Sequence, residues 1–502
     1  MGNKDLLLGI DIGTTGTKCS VYDFSGNKVA SAYREYPMLH PRENWTEQEP
    51  LQWWKAVQRN LKEIFQNQGI ENTRIAVVGI SSTNAIVFVD KEGTPLYNAI
   101  SLHDQRSGEQ VKWLKENIGE EVVRRSAKNR IANGSFCLPN VRWMIENRPD
   151  IVKKSYKVLV PCGYLIQKLT GEFSINRSRM SLTLMSNIYT GQWETEIVKK
   201  TGLPLRLLPK PYHSTDIVGG VTKKAAQLTG LLPGTPVTAG VIDTVAATIG
   251  AGAVQKGDFA LTIGSSGRLC CISSQPFQDQ RLLNIYGAFP GQYIGVQSTN
   301  NAGVSLRWFR DVFGKAVADE AAAAGKDLYT YLNIEAAKAP VGAGGTIWLP
   351  YLAGEQSPIW NPEARGVFFN IGLGTNYSSF VRAVLEGVAF SQRDCLDVVL
   401  SNSLKPDIIP LGGGAANSPL WCQIFADVLN IPVSSLTSNE TETLGDIIIA
   451  AQAVGIKEIP LDFGKKLAKT GCVFHPIAEH AAVYDKQFKK YKELYKTLKP
   501  LF

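Results

Sequence analysis

The first pattern in the chain is the apolar run Leu6 to Ile12, too short for a helix and closed by Gly13-Thr14-Thr15-Gly16. This predicts a buried strand that ends in a tight turn. A second strand, Thr17 to Phe24, runs into the polar turn Ser25-Gly26-Asn27, so the chain opens as a meander and not as a strand feeding a helix. Trp53 to Phe65 carries apolar residues at helical spacing, and Ile75 to Ile80 reads as another buried strand. From about Asp104 to Lys210 the pattern is mostly helical with polar loops. After Gly230-Leu-Leu-Pro-Gly-Thr-Pro, the run Val237 to Val241 predicts a strand. The opening then recurs: strand Asp258 to Ile263, turn Gly264-Ser265-Ser266-Gly267, strand Arg268 to Ile272.

Two strand–turn–strand units in one chain predict a duplicated fold with each copy heading a domain. The boundary is placed near Val254, giving domains 1–253 and 254–502. Strands alternate with helical stretches in both halves, which predicts an α/β class. A length of 502 residues fits two domains better than one core. Composition agrees with a soluble globular protein, at 44% hydrophobic and 20% charged residues. No apolar run reaches membrane-spanning length, and the residues before Leu6 lack the features of a secretory signal, so the expectation is a cytoplasmic protein without membrane contact.

A net charge of +8 is small for this length. Its lysines gather at Lys486, Lys489, Lys490, Lys492, Lys496 and Lys499, interleaved with Tyr484, Phe488, Tyr491 and Tyr495 at helical spacing. That predicts an amphipathic terminal helix with a solvated basic face, not a nucleic-acid surface. The eight cysteines include no Cys-x-x-Cys pair and predict buried free thiols, with Cys270 and Cys271 on opposite faces of a strand.

Gly/Ser/Thr hairpin turns point several backbone N–H groups into one concavity, and such nests bind phosphate. In the first turn the hydroxyls of Thr14, Thr15 and Thr17 add donors and Lys18 adds charge. Asp11, at the end of the preceding strand, is placed to hold hydrated magnesium, which takes oxygen ligands. Neither turn is a Walker loop, and no Gly-x-Gly-x-x-Gly stands in a dinucleotide-binding context. A third element, Gly412-Gly413-Gly414, follows Ile408-Ile409 and precedes a helix from about Pro419, so a ring or phosphate can approach its backbone. Tight turns favour the same residues for their own geometry, and a glycine run also serves as a plain connection.

Taken with Trp45-Thr-Glu-Gln-Glu-Pro-Leu-Gln-Trp-Trp54, Gly240-Val-Ile-Asp243-Thr-Val-Ala-Ala, Tyr351-Leu-Ala-Gly-Glu355-Gln-Ser-Pro, Ala364-Arg365-Gly366, Arg382-Ala-Val-Leu-Glu386-Gly and Gly412-Gly-Gly-Ala-Ala-Asn-Ser-Pro-Leu-Trp421, these segments resemble the FGGY carbohydrate kinases. The resemblance runs from about Leu8 to Gly455. It implies two ribonuclease H-like domains of the actin and sugar kinase superfamily flanking a catalytic cleft, with sugar mainly on the first and ATP mainly on the second. It also implies that ATP and magnesium are required. The phosphate turns would be Gly13 to Thr17 with Lys18, and Gly264, Ser265, Ser266 and Gly267. Gly303, Gly413 and Gly414, with Asn417 or Ser418, would take the nucleoside.

Asp243 would be the general base and, with Asp11, a magnesium ligand; its local alternative is a helix N-cap before Thr244-Val245-Ala246. Asp104 and Arg106 match a Trp-Asn-Asp-x-Arg segment that contacts sugar hydroxyls or forms a local ion pair. Where xylulose kinases carry Gly-Gln-Met-His-Gly, this chain has Ser82-Thr83-Asn84-Ala85, so Asn84 would take the place of the missing histidine by hydrogen-bonding a hydroxyl, with Thr83 beside it at the substrate. The Trp-rich segment leans towards a pentulose such as xylulose, with polyols, sugar acids and a homodimer open. Two other readings share the fold: an actin- or chaperone-like ATPase without sugar, and a sugar-binding regulator without catalysis.

Overall fold

The computed structural model describes residues 4–437, 440–468 and 471–502. The chain forms two compact units, each assembled from more than one stretch. One takes the chain up to Gly250 together with Ser273–Ile294 and Glu440–Gly464; the other takes Ala251–Ile272, Gly295–Asn439 and Lys465–Phe502.

In the first unit the sheet runs in the order Ile217–Gly220, Pro236–Thr238, Ile75–Ser82, Leu6–Ile12, Gly16–Asp23, Lys28–Glu35. Leu6–Ile12 is central: it pairs antiparallel with Gly16–Asp23 and parallel with Ile75–Ser82, and both its faces are covered. That is why it reads as a nearly continuous apolar run. One face packs on helix Pro50–Lys62 through Trp53, Val57 and Leu61, all fully buried with Leu8, Ile10 and Ile12. The other face is floored by Gly9 and its register partner Gly79. On them lies the returning helix Thr441–Val454, so closely that a Cβ at Gly9 would sit 2.7 Å from the Thr443 carbonyl oxygen and one at Gly79 2.3 Å from that of Asp446. Two residues further along each strand, Asp11 and Ser81 point to that same face.

The strand expected over Val237 to Val241 is broken. Pro236–Thr238 and Val241–Ile242 are separate strands, because Gly240 adopts φ +73° where a Cβ would collide with the Cys162 sulfur and the Ile80 carbonyl oxygen. The break brings Ile242 alongside Ser82 and starts helix Asp243–Gly250 at the sheet edge.

The second unit repeats the plan, with strands in the order Tyr293–Thr299, Gly267–Ser273, Phe259–Ile263, Ile409–Gly413, Val433–Ser435, Val473–Phe474. Helix Tyr377–Leu400 is buried along most of its length. Inside it, Arg382 and Glu386 form an ion pair of 2.7 Å, and both bond Tyr484 of the terminal helix Ala478–Leu498, fastening that helix down. Tyr484, Phe488 and Tyr491 are buried, as the amphipathic pattern requires, and all eight cysteines are free thiols. Among the described residues no helix is long and apolar enough to cross a membrane.

Candidate functional site

Each unit presents a hairpin turn built by the same rule: its carbonyls are tied back and its amides are left unspent. In the first, Gly13 N–H donates to Gly16 O at 2.9 Å and Tyr36 N–H to Thr15 O at 3.2 Å. The Tyr36 hydroxyl donates to Gly13 O at 2.5 Å, and Gln48 Nε2 to Thr14 O at 2.6 Å. In the second, Gly264 N–H donates to Ser266 O at 3.0 Å, Gly303 N–H to Gly264 O at 2.8 Å, and Ala302 and Val304 N–H both to Ser265 O at 3.1 Å. Among the described residues the amides of Thr14, Thr15, Ser265 and Ser266 donate to no protein acceptor. Fixed carbonyls facing away and free amides facing out are what an anion-binding nest requires.

Strand alternation sorts the side chains of the first turn. Thr17 pairs with Ile12 and faces the core; its hydroxyl is fully buried and donates to Tyr36 at 3.4 Å. The sequence placed it among the phosphate donors; its structural position is beneath the turn. Lys18 pairs with Asp11 on the opposite face and meets Glu440 at 3.6 Å. Thr15 reaches the Tyr33 hydroxyl at 3.2 Å, and Thr14 Oγ1 lies 3.2 Å from Thr83 Oγ1, linking this turn to the Ser82–Asn84 segment.

Asp11 receives a hydrogen bond of 3.0 Å from Ser81 Oγ, which lies equally far from Asp446 on the returning helix. Burial, then the charges of Glu442 and Asp243, hold the Asp11 carboxyl well above the usual range; burial, then Asp11, does the same to Asp446. The sequence reading missed Glu442 and Asp446. Asp243 opens its helix with Oδ1 accepting Thr244 N–H at 2.6 Å and the Thr244 hydroxyl at 3.1 Å, while among the described residues Oδ2 bonds no protein group. The local reading as a helix-end group and the chemical one therefore use different oxygens of one carboxylate.

Asn84 donates to Ser135 O at 2.8 Å and accepts from Cys137 Sγ at 3.5 Å. Asp104 and Arg106 have no exposed side-chain area; they pair at 2.8 Å, and Arg106 also binds Glu47 at 2.8 Å. Of the two readings of these residues, the structure forms the ion pair. Its charges are fully used: Asp104 additionally accepts Thr46 N–H at 2.6 Å, and Arg106 lies over the Trp45 ring at 3.7 Å.

In the second unit a pocket of about 430 Å³ opens beside the second turn, lined among others by Gly264, Ser265, Gly303, Gly414, Asn417 and Ser418. Ser418 caps helix Pro419–Leu429 and donates to Asn333 at 2.8 Å, whereas Asn417 lies in the preceding 3₁₀ turn. Gly413 and Gly267 lie behind the wall: a Cβ would meet the Ile263 carbonyl oxygen at 2.5 Å in the first case and Gln392 Nε2 at 2.4 Å in the second. Leu306, Arg307, Tyr329 and Trp421 also line it. The first two follow from Gly303 by the i, i+3, i+4 step of helix Gly303–Phe313, a signal available in the sequence.

Behind this wall Glu355 Oε1 accepts Asn300 N–H at 2.6 Å and Gln356 N–H at 2.8 Å, holding the loop that carries Gly303. Burial pushes its carboxyl up to about 8 from 4.5. A proton retained in the fold and lost on unfolding stabilises the fold in full below about pH 4.5, and that gain disappears as the pH rises through 8. The wild-type melting temperature is therefore expected to fall between about pH 5 and 8 more steeply than that of Glu355→Gln, which keeps the Oε1 acceptor. Equal slopes in differential scanning fluorimetry would refute this.

The family models for the N-terminal and C-terminal domains of the FGGY family of carbohydrate kinases match residues 6–250 and 259–454. The chain belongs to this family. It is 30% identical over 459 residues to a gluconokinase of Bacillus subtilis, covering 89% of this chain and 88% of that protein. A xylulose kinase of the same organism is 29% identical over 502 residues, covering 99% and 97%. Among solved structures, a xylulose kinase from Rhodospirillum rubrum superposes with a TM-score of 0.90 at 29% identity, covering 99% of each chain. A gluconate kinase from Lactobacillus acidophilus gives 0.89 at 26% identity, covering 98% of each. The FGGY kinase fold is thus established for both units, and the chain is a carbohydrate kinase.

Proposed function

We propose that this FGGY kinase transfers the terminal phosphoryl group of ATP to a hydroxyl of a small sugar, polyol or sugar acid. The acceptor is held by the first unit and the nucleotide by the second. The observation that carries the reading is the pair of hairpin turns with bound carbonyls and unspent amides, one of them opening on the pocket of the second unit. Asp243 is the general base: its free Oδ2 takes the proton of the attacking hydroxyl while Thr244 holds Oδ1. Thr83, beside Thr14, and Asn84 border the acceptor; Asp104 and Arg106 brace the floor below it.

The carboxylate oxygens of Asp11 and Asp243 are of the kind a divalent cation with oxygen preference takes, although among the described residues no three acidic, histidine or cysteine side chains are grouped as a ready-made metal site. Magnesium bound there would neutralise phosphate charge. An ATPase without acceptor is not favoured: the family match covers both units, and the relatives named above are kinases of a sugar and of a sugar acid.

The test is a coupled ADP-release assay with and without a panel of ketoses, alditols and aldonates. Release that rises on adding one acceptor class supports the assignment. Equal release with and without every acceptor, or none at all, rejects it.

A further inference from the structure

Arg179 lies in the short helix Arg177–Ser181 of the first unit, with its backbone amide capped by Asn176 Oδ1 at 2.8 Å. Its side chain is 1% exposed. A guanidinium carries five N–H groups, yet among the described residues this one donates a single hydrogen bond, from Nη2 to the Ser82 carbonyl oxygen at 2.8 Å. Nε is buried without a partner. No carboxylate lies within ion-pair distance among the described residues, unlike Arg106, which has two. Burial lowers the Arg179 guanidinium from its usual range, and the charge of Asp243 opposes that. A buried, unpaired cation is strongly unfavourable in a free protein and is kept where an anion arrives to complete it.

The bonds around Arg179 put it beside the groups proposed to meet the acceptor. Its one bond goes to Ser82, whose hydroxyl accepts Cys162 N–H at 3.1 Å, so the start of the Ser82–Asn84 segment is fixed from both sides. Ser178, one residue earlier, accepts Ile242 N–H at 3.1 Å and fixes the residue before Asp243. Arg179 therefore lies between the acceptor segment and the proposed base. We propose that Arg179 is a specificity residue whose guanidinium pairs with a carboxylate on the acceptor, which makes a sugar acid of the aldonate type the substrate class.

This rests on the kinase reading above and narrows it. A hydroxyl would satisfy donors but leave the charge uncompensated, whereas a carboxylate supplies two acceptors in the fork geometry and one balancing charge. A phosphorylated acceptor would carry a second charge into the neighbourhood of Asp243, Asp11 and Glu442.

The experiment measures acceptor-dependent ADP release by the full chain with five- and six-carbon aldonates and with the alditols and ketoses of the same lengths. The best aldonate is expected to exceed every neutral acceptor in kcat/KM by at least roughly tenfold. Arg179→Gln is expected to lower aldonate kcat/KM by roughly a hundredfold, mainly through KM, with KM for ATP unchanged and partial rescue by Arg179→Lys. In thermal shift, stabilisation of the wild type by aldonate alone should vanish in Arg179→Gln, whose own melting temperature should not drop. A wild type that prefers a neutral acceptor, or an Arg179→Gln that retains aldonate turnover, overturns the inference while leaving the kinase assignment intact. Absence of turnover with every acceptor would instead be the failure of that assignment. Should Arg179→Gln not fold, the wild-type ranking of acceptors decides alone.

Discussion

Asp243→Asn is expected to lower kcat by roughly a hundredfold or more, the scale on which loss of a general base is felt, while KM for ATP stays close to wild type. Asparagine is nearly isosteric and keeps an oxygen for Thr244 N–H, so the start of helix Asp243–Gly250 is preserved. What disappears is Oδ2 as a carboxylate oxygen, which among the described residues no protein group uses. The loss should therefore be confined to turnover, and circular dichroism and melting temperature should not move. Asp243→Ala removes the acceptor of Thr244 N–H and of its hydroxyl as well and is expected to cost about 1 kcal/mol of stability besides the catalytic loss. The charge of Asp243 contributes to holding Asp11 high, so its removal lets the Asp11 carboxyl ionise at lower pH. If Asp243→Asn retained more than about a tenth of wild-type turnover, the assignment of the base would be wrong.

The elements around this residue differ in how far their sequence announces them. Leu6–Ile12, its turn and Gly16–Asp23 were readable because their determinants are local: an apolar run, then Gly and Thr in a tight reversal. The recurrence at Phe259–Ile263 and Gly267–Ser273 was readable for the same reason. Thr17 was misplaced because the turn was read as a string of donors, whereas the two-residue alternation that pairs it with Ile12 turns its hydroxyl to the core. Nothing near Asp11 announces Glu442 or Asp446, since they arrive on a helix that returns from the far end of the chain. The glycines that admit that helix, Gly9 and Gly79, look in sequence like ordinary strand glycines. The Asp104–Arg106 pair was visible as one of two readings. Its third member, Glu47, was not, and it is Glu47 that completes a fully buried ion pair. Arg179 reads as one more cation, between Ser178 and Met180, and its lack of a counter-charge is a property of the folded unit alone.

The nucleotide half of the proposal turns on a glycine. Gly303→Ala is expected to raise KM for ATP by roughly tenfold or more, about 1.4 kcal/mol of binding, with KM for the acceptor little changed. A Cβ at Gly303 would lie 2.4 Å from the Gly264 carbonyl oxygen and 3.2 Å from its carbon. Both atoms are backbone, and Gly264 O is already committed to Gly303 N–H at 2.8 Å, so no flexible side chain is available to move aside. The turn must shift away, and with it the free amides of Ser265 and Ser266 that the phosphates would meet. Because Gly264, Ser265 and Gly303 all line the same pocket, the effect should also appear in ADP affinity measured by calorimetry without acceptor. Gly372→Ala is the matched control, since a Cβ there would meet nothing within 4 Å, and it should bind ADP as the wild type does. Equal ADP affinities for Gly303→Ala and Gly372→Ala would show that the second turn does not hold the nucleotide. A loss confined to Gly303→Ala, with the acceptor constants intact, would assign donor binding to this unit independently of the chemistry at Asp243.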